Sequence, residues 1–467
     1  MFHRTVFRPG LCLMFLLSTF HAVFAQQKIL TLKEAVQTTL QNYGTIKAKA
    51  NYAQASAANL KETKREYLPN LNVSGQNDFG TVNSQYGPSY GLGGFGVSSS
   101  GPILSGQNWN AAFGGLYLAN LNWDFFSFGK SKEKIKVAQS QLTLDQSDVV
   151  QEQFQQEVRV SSAYLNLLAS QQLTRSQQNN LQRAIALRNV VVARAKSGLN
   201  PGVDSSLANA EVASAQIALV NAQDVVQQQG NQLSQYLVAT PADLVLDSVF
   251  VSKLPKSLDT AINTNLSNHP VLQYFQNRVN ISTEREKYLR TFNYPTFSLF
   301  NIFQSKGSGF NTYTLNQVQY TQDYFSGVNP TRSNYLLGIG VSWNLTSPLR
   351  VHEQVKAQQF TSEGLRNEYL VTSQQLTDQL ILSKTRIQNA LKNYQQAPIG
   401  LKAASDAYLQ KTVLYRNGLA TIVDVTQALY ALNRAETDRD IANNNVWQAL
   451  LYKAAASGDF SLFINEF

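Results

Sequence analysis

The chain has 467 residues, of which 39 are Lys or Arg and 30 Asp or Glu, and charged residues make up only 15% of it. The formal charge of +9 is spread thinly through a sequence rich in Gln, Asn and Ser. That argues against a nucleic-acid partner, which selects for Lys and Arg gathered on one face. The single cysteine, Cys12, leaves no disulfide, thiol nucleophile, cysteine metal site or lipid anchor to be built downstream.

Residues 1–25 read as a secretory signal: His3, Arg4 and Arg8 precede the apolar run from Leu11 to Leu17, and Val23-Phe24-Ala25 offers small residues at a cleavage site. The mature chain is expected to begin at Gln26, with a formal charge of +7 once Arg4 and Arg8 are lost. No later stretch approaches about eighteen consecutive apolar residues. If the mature chain spans a membrane, it is expected to do so as a closed β-barrel, where strand pairing satisfies the backbone.

The two halves can be laid over each other, 26–257 on 258–467. Leu32, Ala35, Leu40 and Asn42 match Leu258, Ala261, Leu266 and Asn268, and Pro69 matches Pro295, all at an offset of 226. Beyond them, Trp123 matches Trp343, and Gly198, Leu199 and Asp204 match Gly418, Leu419 and Asp424, at an offset of 220. Each unit reads as helix, strand, polar loop, strand, very long helix, tight turn, long helix.

The first long helix is the least ordinary element. Lys130 to Ser197 is 68 residues without Gly or Pro, enough for a rod of roughly 100 Å. Apolar residues recur at heptad spacing in two stripes, Ile135, Leu142, Val149 and Val137, Leu144, Val158, Leu165, broken by Gln151 and Gln156. Positions two apart lie about 200° apart around a helix, so the stripes face opposite flanks, as in a ring of helices with a neighbour on each side. An ordinary antiparallel coiled coil is the plainer alternative. The hairpins are expected over 130–229, with a tip near 198–204, and over 350–457, with a tip near 418–424. Each tip has a C-cap glycine and an aspartate that caps or opens the next helix. Pro398, with Gly400 close by, is expected to interrupt the second long helix as a kink or a junction between stacked helices.

Strands are expected at about 69–79, 116–128, 295–303 and 335–346. In the second, Tyr117, Ala119, Leu121, Trp123 and Phe125 alternate with polar or small residues; in the fourth, Tyr335, Leu337, Ile339, Val341, Trp343 and Leu345 do so. This period-two pattern fits a wall with lipid on one side and water on the other, and also a soluble sandwich. Four strands are too few to enclose a lumen, since about eight are needed, so their edges must pair with further copies of the chain. The polar stretches Gly80–Gly115 and Gln304–Asn334 then become the long loops outside the cell.

Together these features resemble the TolC-type outer-membrane efflux protein family: Leu32-Lys-Glu-Ala35, Tyr67-Leu-Pro-Asn-Leu71, Trp123 to Gly129, the two glycine-aspartate tips, above all Tyr415 to Val425, and Leu450 to Asp459. The resemblance spans almost the whole mature chain. It implies a mixed α and β membrane protein, a homotrimer whose four strands per chain make one twelve-stranded barrel set in outer-membrane lipid. Long antiparallel coiled-coil helices continue it as a periplasmic α-barrel. It further implies a passive exit duct of a tripartite efflux or type I secretion system, with no enzymatic activity and no cofactor. A periplasmic adaptor protein and an inner-membrane transporter would dock at the tips, Gly198, Leu199, Gly418 and Leu419. By motif position Asp424 matches a constriction aspartate, Tyr415 a residue linking neighbouring hairpins, and Asp204 the first-repeat partner. Gln427 and Ala420 depart from the pattern, where a second aspartate and a linking arginine are expected, which implies a gate less charged and less tightly latched. Independently of the family, three copies of Asp424 around an axis would form a charge-filtering ring; the plainer role is a helix cap. Leu121, Trp123, Val341 and Trp343 are expected to face lipid.

No other chemistry is expected. The mature histidines, His269 and His352, have no ligand-spaced partner, so no metal site is read. The glycines at 91–96 and Gly338-Ile-Gly340 lack a phosphate-loop context. The competing reading is a secreted structural or adhesive coiled-coil protein with a soluble β head.

Overall fold

The computed structural model describes residues 29–83, 103–239, 244–247, 249–256, 258, 266–314 and 317–466. The signal segment with Cys12, the glycines at 91–96 and most of the second repeat's opening helix lie outside the described residues.

The chain opens with α1 (Leu32–Asn42) behind a capping box in which Thr31 Oγ1 accepts from Glu34 N at 3.2 Å. Tyr43 adopts an extended conformation, and α2 (Gly44–Arg65) starts anew beyond it. β1 (Asn70–Thr81) and β2 (Ala111–Phe126) follow, then α3 (Lys130–Lys196) and α4 (Gly202–Leu237). After the short α5 (Val249–Ser252), the second unit runs through α6 (Pro270–Arg290), β3 (Thr296–Ser308), a small hairpin β4 (Phe310–Thr314) and β5 (Gln317–Tyr320), and α7 (Tyr324–Val328). It closes with β6 (Arg332–Ser342), α8 (Ser347–Arg416), α9 (Ile422–Ser457) and α10 (Ser461–Ile464).

The main sheet has the order β1-β2-β3-β6, antiparallel throughout. Two strands stop short of expectation for local reasons. β2 ends at Phe126 because Phe128 and Gly129 both take positive φ, 48° and 85°, and Lys130 N donates to Ser127 O to start α3. β6 ends at Ser342, not 346, because Asn344 Oδ1 accepts from Thr346 N at 3.1 Å and Asn344 O from Ser347 N at 3.0 Å, a turn leading into α8. Trp343 and Leu345 therefore lie beyond the strand. At the other end β2, β3 and β6 all extend into the stretches read as loops, and α7 and the β4–β5 hairpin lie inside the second of them.

The helices pack along their flanks. α3 lies between α2 and α6 over part of its length and against α4 and α9 elsewhere, so both stripes are used: Leu165 is buried, the remaining stripe residues half-buried. Gln156 sits buried in this seam, its Nε2 donating to Glu152 Oε1 at 2.8 Å, while Glu152 also meets Lys49 Nζ at 3.3 Å. The main core gathers around the middle of α3, where Tyr164, Leu165 and Leu168 meet Leu32, Phe250, Trp447 and Phe463. Tyr164 OH ties in the connecting chain, donating to Leu30 O at 2.8 Å and accepting from Asp247 N at 2.9 Å.

The expected junction between stacked helices at Pro398 is absent: α8 stays helical through Pro398 and Gly400. An interior proline costs one hydrogen bond and a clash, about 3 kcal/mol, which a 70-residue helix packed along α9 and α6 can absorb. Beside it lies a cleft of about 700 Å³ lined by Pro398, Lys402 and Tyr408 on one side and Arg183, Leu432 and Glu436 on the other.

His269, expected at the surface or in packing, is a buried N-cap. Its Nδ1 accepts from Val271 N at 3.2 Å, its Nε2 lies 3.2 Å from Ala455 O, and Gly458, at φ 73°, has no room for a Cβ against the ring. Burial lowers its pKa below the ordinary 6.5. The unfolded chain therefore takes up a proton that the folded chain refuses as pH falls through the ordinary value. Going from pH 7.5 to pH 5.5 is expected to lower the melting temperature of the wild type relative to that of His269→Asn; the comparison cancels Glu157, which burial pushes up to about 7 and which favours the folded chain as pH falls.

Candidate functional site

Two regions carry the expected site residues, the helical tips and the sheet. At each tip the chain reverses through a left-handed glycine, Gly198 at φ 74° and Gly418 at φ 78°. Leu199 N donates back to Arg194 O at 3.0 Å and Leu419 N to Leu414 O at 2.9 Å, closing the same C-cap twice. Leu199 and Leu419 point away from the hairpins, 68% and 74% exposed, as do their neighbours Val203 and Val423. The two valines, equivalent in the repeat, were not singled out by the sequence pattern.

Beneath the leucines the tips differ. In the first, Asn200 Nδ2 donates to Asp204 Oδ2 at 2.7 Å and to Tyr415 OH at 3.2 Å. Arg194 donates to Asn200 Oδ1 at 2.9 Å and to Arg416 O at 2.6 Å, with its guanidinium 5.5 Å from the centre of the Tyr415 ring. Tyr415 is 2% exposed, packed with Leu187, Val191, Ala208, Ile422 and Val425. Burial, and then the neighbouring Asp204, push its hydroxyl pKa up. Thus Tyr415 and Asp204 meet through Asn200, and the two hairpins of one chain are latched together. Arg194 takes part, although Ala420 stands where the resemblance places a linking arginine.

In the second tip Asp424 closes a capping box with Thr421, whose Oγ1 donates to Asp424 Oδ2 at 2.7 Å, and Lys411 Nζ reaches Asp424 Oδ1 at 3.1 Å. The Thr421 hydroxyl, then its backbone N–H and Lys411, hold the carboxyl down to about 2, so it is ionised at any physiological pH. Gln427 stands exposed one turn further along α9. Lys411 was not legible beforehand, because thirteen residues separate it from Asp424.

In the sheet, residues directly opposite share a face. The rows Leu71, Leu121, Asn301, Leu337; Val73, Ala119, Phe303, Tyr335; and Trp123, Leu299, Ile339 lie on one side, with Phe297 opposite Val341. Val73 and Tyr335 are 78% and 83% exposed there. The other side carries Asn70, Asn120, Asn122, Gln304, Asn334, Lys306 and Arg332, and Phe300, whose ring covers Gly338 so closely that a Cβ would lie 2.5 Å from its tip. The two tryptophans make the same bond in each repeat: Trp123 Nε1 donates to Tyr67 O at 2.8 Å and Trp343 Nε1 to Asn293 O at 3.1 Å. Among the described residues no helix is long and apolar enough to cross a membrane.

The fold is that of solved outer-membrane channels. It superposes on the VceC outer membrane protein of Vibrio cholerae with a TM-score of 0.73 at 17% identity, covering 92% of this chain and 96% of that one. The CmeC outer membrane channel of Campylobacter jejuni gives 0.73 at 13% identity, covering 91% and 85%. The open state of the MtrE outer membrane channel of Neisseria gonorrhoeae gives 0.67 at 14%, covering 92% and 89%. Residues 117–238, from within β2 to the end of α4, match the outer membrane efflux protein family, which bears out the resemblance read from the sequence. No curated protein sequence matches the chain.

Proposed function

We propose that the chain is one protomer of a homotrimeric, passive exit duct in the outer membrane of a Gram-negative-type bacterium, fed at its helical tips by a periplasmic adaptor and an inner-membrane transporter. The observation that carries this reading is the four-stranded sheet. Among the described residues β1 and β6 are each paired on one side only, and the face holding Val73, Leu121, Leu337 and Val341 is apolar, with Val73, Leu337 and Val341 exposed and Leu121 half-buried. A lone sheet of this kind is an open edge in water, whereas three of them closed edge to edge make a twelve-stranded wall with a lipid face and a polar lumen. The helices support the same closure, since α8 packs on α9 and α6 and leaves Phe360, Leu370 and Ile381 exposed, while α2 and α4 expose Tyr52 and Ile217.

Native mass spectrometry of the detergent-solubilised protein is the first test, with a trimer expected and ion conduction in planar bilayers to follow. A stable monomer would overturn the duct and favour the structural coiled-coil reading.

At the tips, three Asp424 carboxylates around the axis are proposed to filter by charge, each partly offset by its Lys411. Lys411→Ala is expected to raise cation over anion permeability and sensitivity to block by multivalent cations, and Asp424→Ala to lower both. Reversal potentials in asymmetric salt read the difference; identical values for wild type and both variants would remove the charge ring and leave the duct standing.

A further inference from the structure

The segment around α7 is folded onto the outer wall of the sheet, a placement that loop composition alone does not explain. Gly115 and Gly307 stand opposite each other on β2 and β3. A Cβ on Gly115 would lie 2.6 Å from Val328 O, and one on Gly307 would strike the carbonyls of Gly327, Val328 and Asn329. The two glycines are thus a seat cut for the end of α7. The seat is held by Thr331 N donating to Lys306 O at 2.8 Å and Asn77 Nδ2 to Tyr324 OH at 3.1 Å, and the Phe113 and Tyr324 rings meet at 5.1 Å.

Strand parity says which side this is. Gly115 alternates in step with Tyr117, Ala119, Leu121 and Trp123, and Gly307 with Phe303, Leu299 and Phe297, so α7 lies on the apolar outer face, outside the lumen. Height follows from residue count. From Phe297, which packs with Phe126 and Phe128 at the helix end of the sheet, to Gly307 is ten residues. At about 3.3 Å per residue and a tilt near 40° this is about 25 Å, the height of the apolar band of a transmembrane barrel between its aromatic girdles. At that level Phe325 is 68% exposed and Tyr324 is exposed beside it. β2 and β3 are the inner strands of the sheet, so a neighbouring copy pairing at β1 or β6 does not account for a cover over α7.

We propose that α7 is an outer-leaflet anchor: a loop turned back over the barrel exterior that sets Tyr324 and Phe325 at the boundary between lipid headgroups and acyl chains. It supplies at the outer surface the aromatic ring that Trp123, Phe297 and Trp343 supply at the inner one. The proposal rests on the barrel reading, and the test separates the two.

Cys12 is the chain's one cysteine, so single-cysteine variants of the signal-processed protein, Phe325→Cys and Leu337→Cys, can each carry an environment-sensitive fluorophore. Each is reconstituted in phosphatidylethanolamine–phosphatidylglycerol vesicles with nitroxide lipids labelled either near the headgroup or deep in the chain, and compared with aqueous iodide. The expected result is quenching at 337 chiefly by the deep label and at 325 chiefly by the shallow one, with iodide weak at both. Lipid quenching at 337 with only iodide quenching at 325 overturns the anchor and leaves the barrel; no lipid quenching at either overturns the barrel and the anchor with it. Gly307→Val is expected to move the probe to iodide in the Phe325→Cys background by unseating α7, and to leave the deep-label quenching unchanged in the Leu337→Cys background. An unchanged 325 signal there would overturn the glycine seat.

Discussion

Leu121→Arg is expected to destabilise the assembled barrel by about 2 to 4 kcal/mol for each copy, the cost of an arginine near the middle of a lipid-facing barrel wall. Leu121 stands on β2 opposite Leu71 and Asn301, between the aromatic cluster at Phe297 and the α7 seat at Gly307. No side chain of opposite charge shares its row, so the guanidinium has only lipid or a strained reach to an interface. Leu121→Phe and Leu121→Ile should be close to neutral, because lipid accommodates volume as a packed core does not. Denaturant titrations of detergent- or vesicle-bound protein read both. Tolerance of arginine together with sensitivity to the volume swaps would mean that this face is packed against protein and that the wall has been misassigned.

Tyr415→Ala is the second large effect. Its ring fills the tip between Leu187, Val191 and Val425, and its hydroxyl accepts from Asn200. Truncating a buried aromatic costs about 3 to 5 kcal/mol, here concentrated where the two hairpins are latched. The expected readouts are faster amide exchange over 190–206 and 410–426 and a clear rise in single-channel conductance. Tyr415→Phe loses one hydrogen bond, about 1 kcal/mol, and should leave exchange nearly unchanged. Arg194→Ala should resemble the alanine variant in conductance, since it removes the bond to Arg416 O and the contact over the ring together. A Tyr415→Ala channel that conducts like wild type would show that this latch does not restrict the pathway.

The architecture was legible because its causes are local and repeated. The 67-residue α3 follows from a stretch empty of Gly and Pro, the face of β2 from strict alternation, and the two tips from glycine followed by aspartate at one spacing. What escaped depended on partners distant in sequence or on competition between rules. Pro398 reads as a breaker on local grounds, and only the packing of α8 keeps it helical. Trp343 continues an alternating pattern, yet the Asn344 turn takes it out of β6 and turns its indole toward Asn293 O. Arg194 and Asn200 meet Tyr415 across more than 200 residues, so no spacing announces them, and the resemblance named Tyr415 without them. α7 lies in a segment whose polar, aromatic composition suggested only a connector; Asp323, accepting from Ser326 N at 2.8 Å as its N-cap, was the local signal available.

The paired tryptophan bonds and the paired tip leucines show the two repeats geometrically alike, while the polar groups beneath the tips are not: Arg194 and Asn200 in one, Lys411 and Thr421 in the other. In a ring of three chains this separates two orders of symmetry. A partner that grips Leu199 and Leu419 meets six nearly interchangeable knobs, whereas anything that disturbs the polar layer finds three sites of each kind. On the proposed trimer, attachment would then follow a sixfold pattern while the polar layer stays threefold.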